Sequence, residues 1–319
     1  MDSAVISAEL KTVLDCCTGI QVYFVDDDNN QIYDADIHNG VLDDFRVNFV
    51  NDLKAKYTNN EKFTTPALSD ADDRTHALYV FDFDVKPLEF EFLDKVNSLP
   101  ADRKINLYQV RKKGLSSIKA IIIRLKGDNG KIISFYQYIH SSALITPQKS
   151  VFLTTHETRV IRLTEDVLRL NHKFIFAKIG EYYLVENVNM LEKELGFDKV
   201  IHSKAQSYCS SLAARELVAD LKKFNARVNN ETAFARKFVK VFKNSAVIEQ
   251  NLCSQEIINF AMSKPFYQGK LKLTDNGDKF DLNSQQRCSN FLQLLDDEFL
   301  RSELTGLDYI ARAKDRASL

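Results

Sequence analysis

The sequence contains no long apolar run, no glycine-rich phosphate loop and no paired cysteines, and each absence argues against a class of function. The densest apolar stretch, Ala120 to Ile123, ends at Arg124 and is far shorter than the roughly 20 residues that span a bilayer. Met1 to Val5 contains no basic residue ahead of an apolar core, so we expect no secretory signal. The five cysteines show no CxxC spacing, which argues against a zinc site or a disulfide framework. We therefore expect a cytoplasmic, soluble protein.

The residues that usually mark cofactor sites and catalytic sites are also missing. The ten glycines fit neither a GxGxxG pattern nor a P-loop, and the six histidines form no pair at metal-ligand or catalytic-triad spacing. We expect no cofactor, no metal and no enzymatic activity.

The chain does contain the apolar residues of a compact globular protein, in two successive patterns. Alternating strand-like segments dominate up to about residue 188, and helical periodicity dominates afterwards. The predicted fold is α+β, with a mixed, β-rich N-terminal and central part followed by a mainly helical C-terminal part. We place a domain boundary near residue 165, which gives an acidic-to-basic α/β domain at 1–165 and a second domain at 166–319.

Charge is strongly segregated along the chain, although the net charge is only -1. Residues 1–99 hold 8 Lys and Arg against 20 Asp and Glu, whereas residues 100–180 hold 15 against 5. Residues 199–245 are basic again, with 10 against 3. Such asymmetry suggests that the basic parts contact a polyanion and that the acidic part faces another partner or the protein's own basic surface.

Two acidic segments resemble metal sites. Asp26, Asp28 and Asn30 alternate as in a calcium loop, but Gln31 replaces the required glycine and Ile37 the final acid, so we interpret the segment as an acidic turn.

Asp82 and Asp84 flank Phe83 at the end of a predicted strand at 77–83, with Glu89 and Glu91 close behind. Carboxylates at a strand end can chelate the magnesium of a nuclease, and this is the enzymatic alternative that the sequence leaves open.

The helix predicted around Thr232 to Lys243 is the main candidate for nucleic-acid binding. Phe234, Phe238 and Val241 form an apolar stripe, while cations project from another face. Several cations on one rigid face suit contacts to phosphates, which give affinity without reading sequence. The candidate DNA-binding residues here are Arg236, Lys237, Lys240 and Lys243, with Lys222, Lys223 and Arg227 upstream.

A second basic segment lies between two strands predicted at 105–111 and 118–125. Its candidate DNA-binding residues are Arg111, Lys112, Lys113, Lys119 and Arg124. Tyr108 and Tyr136 are predicted to interleave with them as stacking partners for single-stranded bases.

The C-terminal segment resembles a known family. The residues that carry the resemblance are Asn283, Ser284, Arg287, Leu294 to Asp297, Leu300, Ser302 to Gly306, Tyr309 and Lys314, together with Phe174 to Phe176, Tyr182 to Asn187 and Phe197 upstream. They resemble the KwaB family of the Kiwa anti-phage defence system, over about residues 165–315. Within this pattern we interpret Ser302 to Gly306 as the end of a helix, with Tyr309 packed beneath it.

The resemblance implies a DNA-binding effector that pairs with a KwaA-like membrane protein, restrains phage DNA and self-associates as a homodimer or higher homo-oligomer. Recruitment to the inner membrane would then depend on that partner. Three hypotheses follow from the sequence: a non-catalytic DNA-binding effector, a metal-dependent nuclease that uses the N-terminal carboxylates, and a protein-protein scaffold that binds no nucleic acid.

Overall fold

The structure, a computed structural model, describes residues 3–71, 76–100, 105–139, 143–147, 151–156 and 158–310. It contains two compact units, Met1–Leu195 and Gly196–Leu319. Within the described residues, no helix combines the length and the apolar character needed to cross a bilayer.

The first unit is built on a mixed set of strands and short helices. Its helices are α1 Ser3–Asp15, α2 Asn39–Leu53, α3 Phe90–Asn97, α4 Val110–Lys113 and α5 Val188–Glu194. Its strands are β1 Cys17–Asp26, β2 Ile32–Asp34, β3 Tyr79–Val80, β4 Ile118–Gly127, β5 Ile132–Tyr138, β6 Leu144–Ile145, β7 Leu153–His156, β8 Arg159–Arg162, β9 Val167–Leu168, β10 Phe176–Ile179 and β11 Tyr182–Val185.

Seven of these strands form one antiparallel sheet in the order β2-β1-β4-β5-β10-β11-β3. β1 and β4 form its long centre, with Val22 opposite Ile123 and Phe24 opposite Ile121. β4 turns into β5 through an Asn-Gly step, where Gly130 has a φ of +78° that an L side chain would strain. The remaining strands pair as β6 with β9 and β7 with β8.

The two faces of the sheet bury different residues, because side chains alternate along each strand. On one face, Ile133 and Phe135 of β5 belong to a core with residues of α1 and α2 such as Leu10 and Phe49. On the other face, Tyr136 stacks on Phe176 at 4.8 Å between ring centroids, against the side chains of α3. The sheet is therefore covered by helices on both sides.

The second unit is mainly helical. Its helices are α6 Phe197–Ala214, α7 Lys222–Asn230, α8 Thr232–Asn244, α9 Ala246–Glu249, α10 Ser254–Ser263 and α11 Gln285–Leu295, and its strands are β12 Phe299–Arg301 and β13 Asp308–Ile310. Phenylalanines dominate its core, since Phe224 lies within 5.2 Å of Phe234 and 4.9 Å of Phe238 between ring centroids.

The predicted α+β fold is confirmed, with all of the described strands except β12 and β13 before residue 186 and most of the described helices after it. The predicted boundary near residue 165 falls inside the first compact unit, because β10 and β11 extend the N-terminal sheet.

Local predictions were less successful at two places. The strand predicted at 105–111 is wrong, because only Leu107 makes an isolated bridge and Val110–Lys113 is a helical turn. Ser302 to Gly306 does not end a helix, because α11 ends at Leu295 and this segment is the turn between β12 and β13, with Gly306 at a φ of +67°. Tyr309 is half exposed rather than packed beneath. Lys314 lies outside the described residues.

Candidate nucleic-acid interface

Helices α7 and α8 follow each other closely, since only Glu231 separates them. Phe224, in the first turn of α7, packs on Phe234 in the first turn of α8 and on Phe238 at its middle, so α7 folds back over the first half of α8. The first turn of α7 therefore lies beside the middle of α8. The sequence folds in this way because both helices place phenylalanines on their shared side and polar residues on the other.

Four of the predicted DNA-binding cations lie on the first turn of α7 and the second half of α8. Lys222 and Lys223 are exposed on the first turn of α7, and Lys243 is exposed on the last turn of α8, one turn beyond the half-buried Lys240. Asp220, the nearest acid in the chain, accepts a hydrogen bond from the Lys222 backbone N–H at 2.7 Å. We call Lys222, Lys223, Lys240 and Lys243 the α7–α8 basic end.

Arg236 is half-buried one turn earlier on the same side of α8 as Lys240, because the two residues are four apart. It is a neighbour of Lys240 on the helix surface, but it is not one of the four lysines that define the α7–α8 basic end.

Arg227 and Lys237 each bind a carboxylate of the protein. The Arg227 guanidinium binds both carboxylate oxygens of Glu231, at 3.0 and 2.7 Å, and stacks over the Phe234 ring at 3.9 Å. It also donates to the Gln285 carbonyl at 2.7 Å and to the Ser289 hydroxyl at 2.9 Å. Arg227 therefore joins helices and has little remaining capacity for a phosphate.

Lys237 forms an ion pair with Glu298, a carboxylate that is only 2% exposed, at 2.7 Å. The second oxygen of Glu298 has no hydrogen-bond partner among the described atoms. Since a buried carboxylate is costly without a cation, the main role of Lys237 is to neutralise Glu298.

The second basic segment forms the short helix α4 rather than a loop between two strands. Arg111 and Lys112 are exposed on this turn and remain candidates for phosphate contacts. Lys113 turns inward and pairs with Asp26, which is fully buried, and it also donates to the Tyr33 hydroxyl at 3.2 Å.

The pairing of Asp26 with Lys113 explains the acidic turn at 26–30. Burial alone would raise the pKa of Asp26, but hydrogen bonds from Lys113 and from the Asp28 backbone N–H outweigh it, so the pKa is lowered. Asp26 thus holds a protein cation, which argues against a calcium loop at this turn.

Lys119 and Arg124 make contacts within the protein that the basic run in the sequence did not predict. Lys119 donates to the Asn30 side chain at 3.2 Å and lies 3.4 Å from the Glu89 carboxylate. Arg124 is only 3% exposed, and its guanidinium donates to the Gln21 side chain and the Leu99 carbonyl, each at 3.2 Å. A phosphate cannot reach Arg124 in this structure, which corrects its place among the candidates.

The two tyrosines predicted as stacking partners are also buried. Tyr108 is 3% exposed and donates to the Gly114 carbonyl at 2.8 Å, and Tyr136 is fully buried in the sheet. Neither ring can stack on a base from this position.

The carboxylates of the nuclease alternative do not converge. Asp82 accepts hydrogen bonds from the Ser69 backbone N–H at 2.9 Å and from the Ser69 hydroxyl at 2.6 Å, so it fixes the short helical turn at 68–70. Asp84 is exposed two residues later. In the part of the chain that the structure describes, no three His, Cys, Asp or Glu side chains are grouped as metal ligands.

One group of cations escaped the sequence analysis. Arg169 and Lys173 line a groove beside His172 and Lys56, although neither belongs to a basic run. The groove joins segments far apart in the sequence, since His172 contacts Asp52, 120 residues away. Spacing along the chain could not have indicated it.

Comparison with known proteins gives the family. Residues 115–305, more than half of the chain, match the model of the family described as Kiwa protein KwaB-like. The chain is also 27% identical over 318 residues to Kiwa protein KwaB of Escherichia coli O55:H7 (strain RM12579 / EPEC), and the match covers 99% of each chain. No solved structure matches it. The chain belongs to the Kiwa protein KwaB-like family.

Proposed function

We propose that this protein is a non-catalytic effector that grips phage DNA by its phosphates and docks on a KwaA-like membrane protein. Membership of the KwaB-like family makes the chain a component of an anti-phage defence system. Recruitment to the inner membrane through the partner is inferred from the family resemblance.

The observation that carries the DNA-binding proposal is the α7–α8 basic end. It consists of four lysines on two successive helices that pack on each other through phenylalanines. Lysines contact phosphates as point charges, so the grip is expected to be independent of sequence. Residues 199–245 carry an excess of seven positive charges, which favours the approach of a polyanion.

A mobility shift of plasmid DNA, with and without magnesium, tests this proposal. We expect a shift without cleavage, and we expect it to be lost when the four lysines of the α7–α8 basic end are changed to Ala. A matched control changes Lys270, Lys272, Lys279 and Arg301 to Ala, which removes the same charge from elsewhere in this unit.

Two outcomes would contradict the proposal. Magnesium-dependent cleavage that is lost in Asp82→Ala would favour the nuclease. No shift at low salt would favour a protein-protein scaffold.

Self-association, which the family resemblance implies, has a candidate surface in the β7–β8 hairpin. This hairpin pairs with no other strand among the described residues. An isolated two-stranded sheet is marginally stable in water, and apolar side chains on it favour burial against a partner. The exposed apolar residues of this segment are Val151, Phe152, Leu153, Val160 and Ile161.

The two edges of the hairpin differ in charge. β8 begins with Arg159 and ends with Arg162, whereas residues 151–155 along the β7 edge contain no charge, proline or glycine. Charged side chains protect an edge strand from pairing, and the β7 edge lacks them. We infer that a second copy pairs with β7.

The hydrogen bonds of the hairpin indicate which backbone groups face a second copy. The Leu163 N–H donates to the Phe152 carbonyl at 2.8 Å, so residue 152 points towards β8. In an antiparallel pair the direction alternates, and therefore Leu153 and Thr155 direct their N–H and C=O groups outward. An antiparallel pairing centred on Leu153 would place Val151 opposite Thr155 of the second copy.

A further inference from the structure

A groove of about 540 Å³ lies on the first unit, between the end of α2 and the segment that precedes β10. Its lining includes Lys56, Tyr57, Arg169, His172 and Lys173. None of these residues belongs to the α7–α8 basic end, and the groove has no role in the function proposed above.

The wall of the groove that α2 contributes has an unusual backbone. After Leu53 the helix widens into a π-helical turn, Lys54–Thr58, in which the Asn59 N–H donates to the Lys54 carbonyl five residues earlier, at 2.8 Å. Such turns are rare and occur frequently at functional sites, because the wider turn changes the direction of the side chains. Here it carries Lys56 and Tyr57, both of which line the groove.

Tyr57 belongs to the lining of the groove, but its hydroxyl is buried. The residue is 1% exposed, and burial together with the neighbouring Glu186 carboxylate raises the pKa of its hydroxyl. A bound ligand cannot reach this hydroxyl, so the accessible polar groups of the groove are its charged side chains.

The charges in the groove leave an excess of cations. Lys56 pairs with Glu186, and His172 contacts Asp52, so each acid of the lining has a partner.

The side chains of Arg169 and Lys173 are exposed and have no hydrogen-bond or ion-pair partner within the described part of the chain. Both cations therefore line the groove with their donors available.

We propose that this groove binds a phosphate group, held by Arg169 and Lys173. A phosphate presents several acceptor oxygens and negative charge, which match a guanidinium and an ammonium. The phosphate belongs either to a free nucleotide or to the 5′ end of a DNA strand, since both present a terminal phosphate of the same chemistry.

Equilibrium dialysis of the full chain with radiolabelled pyrophosphate tests the site. We expect saturable binding that weakens at least about tenfold in Arg169→Ala/Lys173→Ala, because each charge-assisted hydrogen bond contributes roughly that factor. The matched control is Lys11→Ala/Lys126→Ala, which removes two exposed lysines of the same unit.

Competition identifies the source of the phosphate. The competitors of the bound pyrophosphate are ATP and a short oligonucleotide with either a 5′-phosphate or a 5′-hydroxyl. Displacement by ATP alone assigns the site to a free nucleotide. Displacement by the 5′-phosphorylated oligonucleotide, and not by its 5′-hydroxyl form, assigns the site to a DNA end. Absence of saturable binding, or equal binding by the groove variant and the control, overturns the proposal. Plasmid binding by the groove variant at the unchanged level separates this site from the α7–α8 basic end, and loss of both activities together would contradict a separate site.

Discussion

The salt dependence of DNA binding gives the sharpest test of the α7–α8 basic end. If its four lysines each neutralise one phosphate, the logarithm of the binding constant falls with the logarithm of salt concentration with a slope of about -3.6. Affinity for duplex DNA should therefore drop about 150-fold between roughly 50 and 200 mM salt. Fluorescence anisotropy with a labelled duplex, measured over a salt series, gives this slope directly.

The variant in which all four lysines are changed to Ala should show a slope smaller in magnitude by about 3.6. If Arg111 and Lys112 also contact phosphates, Arg111→Ala/Lys112→Ala should reduce the magnitude of the slope by about 1.8. The charge-matched control in the second unit should leave the slope unchanged. A slope that stays the same in the four-lysine variant would refute the assignment of phosphate contacts to these helices, even if overall affinity fell.

Three further predictions concern the ion pairs and the hairpin. Lys237→Ala should lower the free energy of unfolding by about 2 kcal/mol in urea titrations, because it leaves the Glu298 carboxylate buried without a cation. Lys237→Ala/Glu298→Gln should recover part of the loss. Equal stability of the native chain and both variants would contradict the buried pair. The pKa of Asp26 is lower in the folded chain than in the unfolded chain, where it is about 4. Its contribution to stability is therefore present above about pH 4 and is lost as the pH falls through the folded pKa. In urea titrations below about pH 4, the free energy of unfolding should decline less steeply for Asp26→Asn than for the native chain. Thr155→Pro, which removes an outward N–H from β7, should abolish the self-association seen in sedimentation velocity. Val160→Pro, on the β8 edge, should leave self-association intact. The reverse pattern would place the second copy on β8.

The sequence predicted those features of the fold that depend on local patterns. The apolar stripe of α8 and the Asn-Gly turn between β4 and β5 are periodic or stereochemical signals, and both appear in the structure where the pattern placed them. The segment around Leu107 failed because its apolar alternation is compatible with an extended chain that makes only one bridge.

Charge runs predicted the candidate site only in part, because a run does not show where each side chain points. Arg124 belongs to a basic stretch, yet it lies in a strand of the central sheet where alternation turns it towards Gln21 and Leu99. Lys237 follows Arg236 directly and is turned by about a quarter of a helical turn towards Glu298. Long-range partners of this kind cannot be identified from the spacing of residues within one element.

The strand order of the sheet also constrains how the protein can be made. Within the seven-stranded sheet β3 pairs with β11, with Val80 opposite Leu184, and β10 separates β11 from β5. During synthesis, β3 has therefore left the ribosome long before the strand that receives it, and the apolar edge of β5 stays uncovered until Phe176–Ile179 emerges. Chains that terminate between β9 and β11 should accordingly be retained by chaperones or degraded, whereas chains that extend past Val185 can complete the sheet.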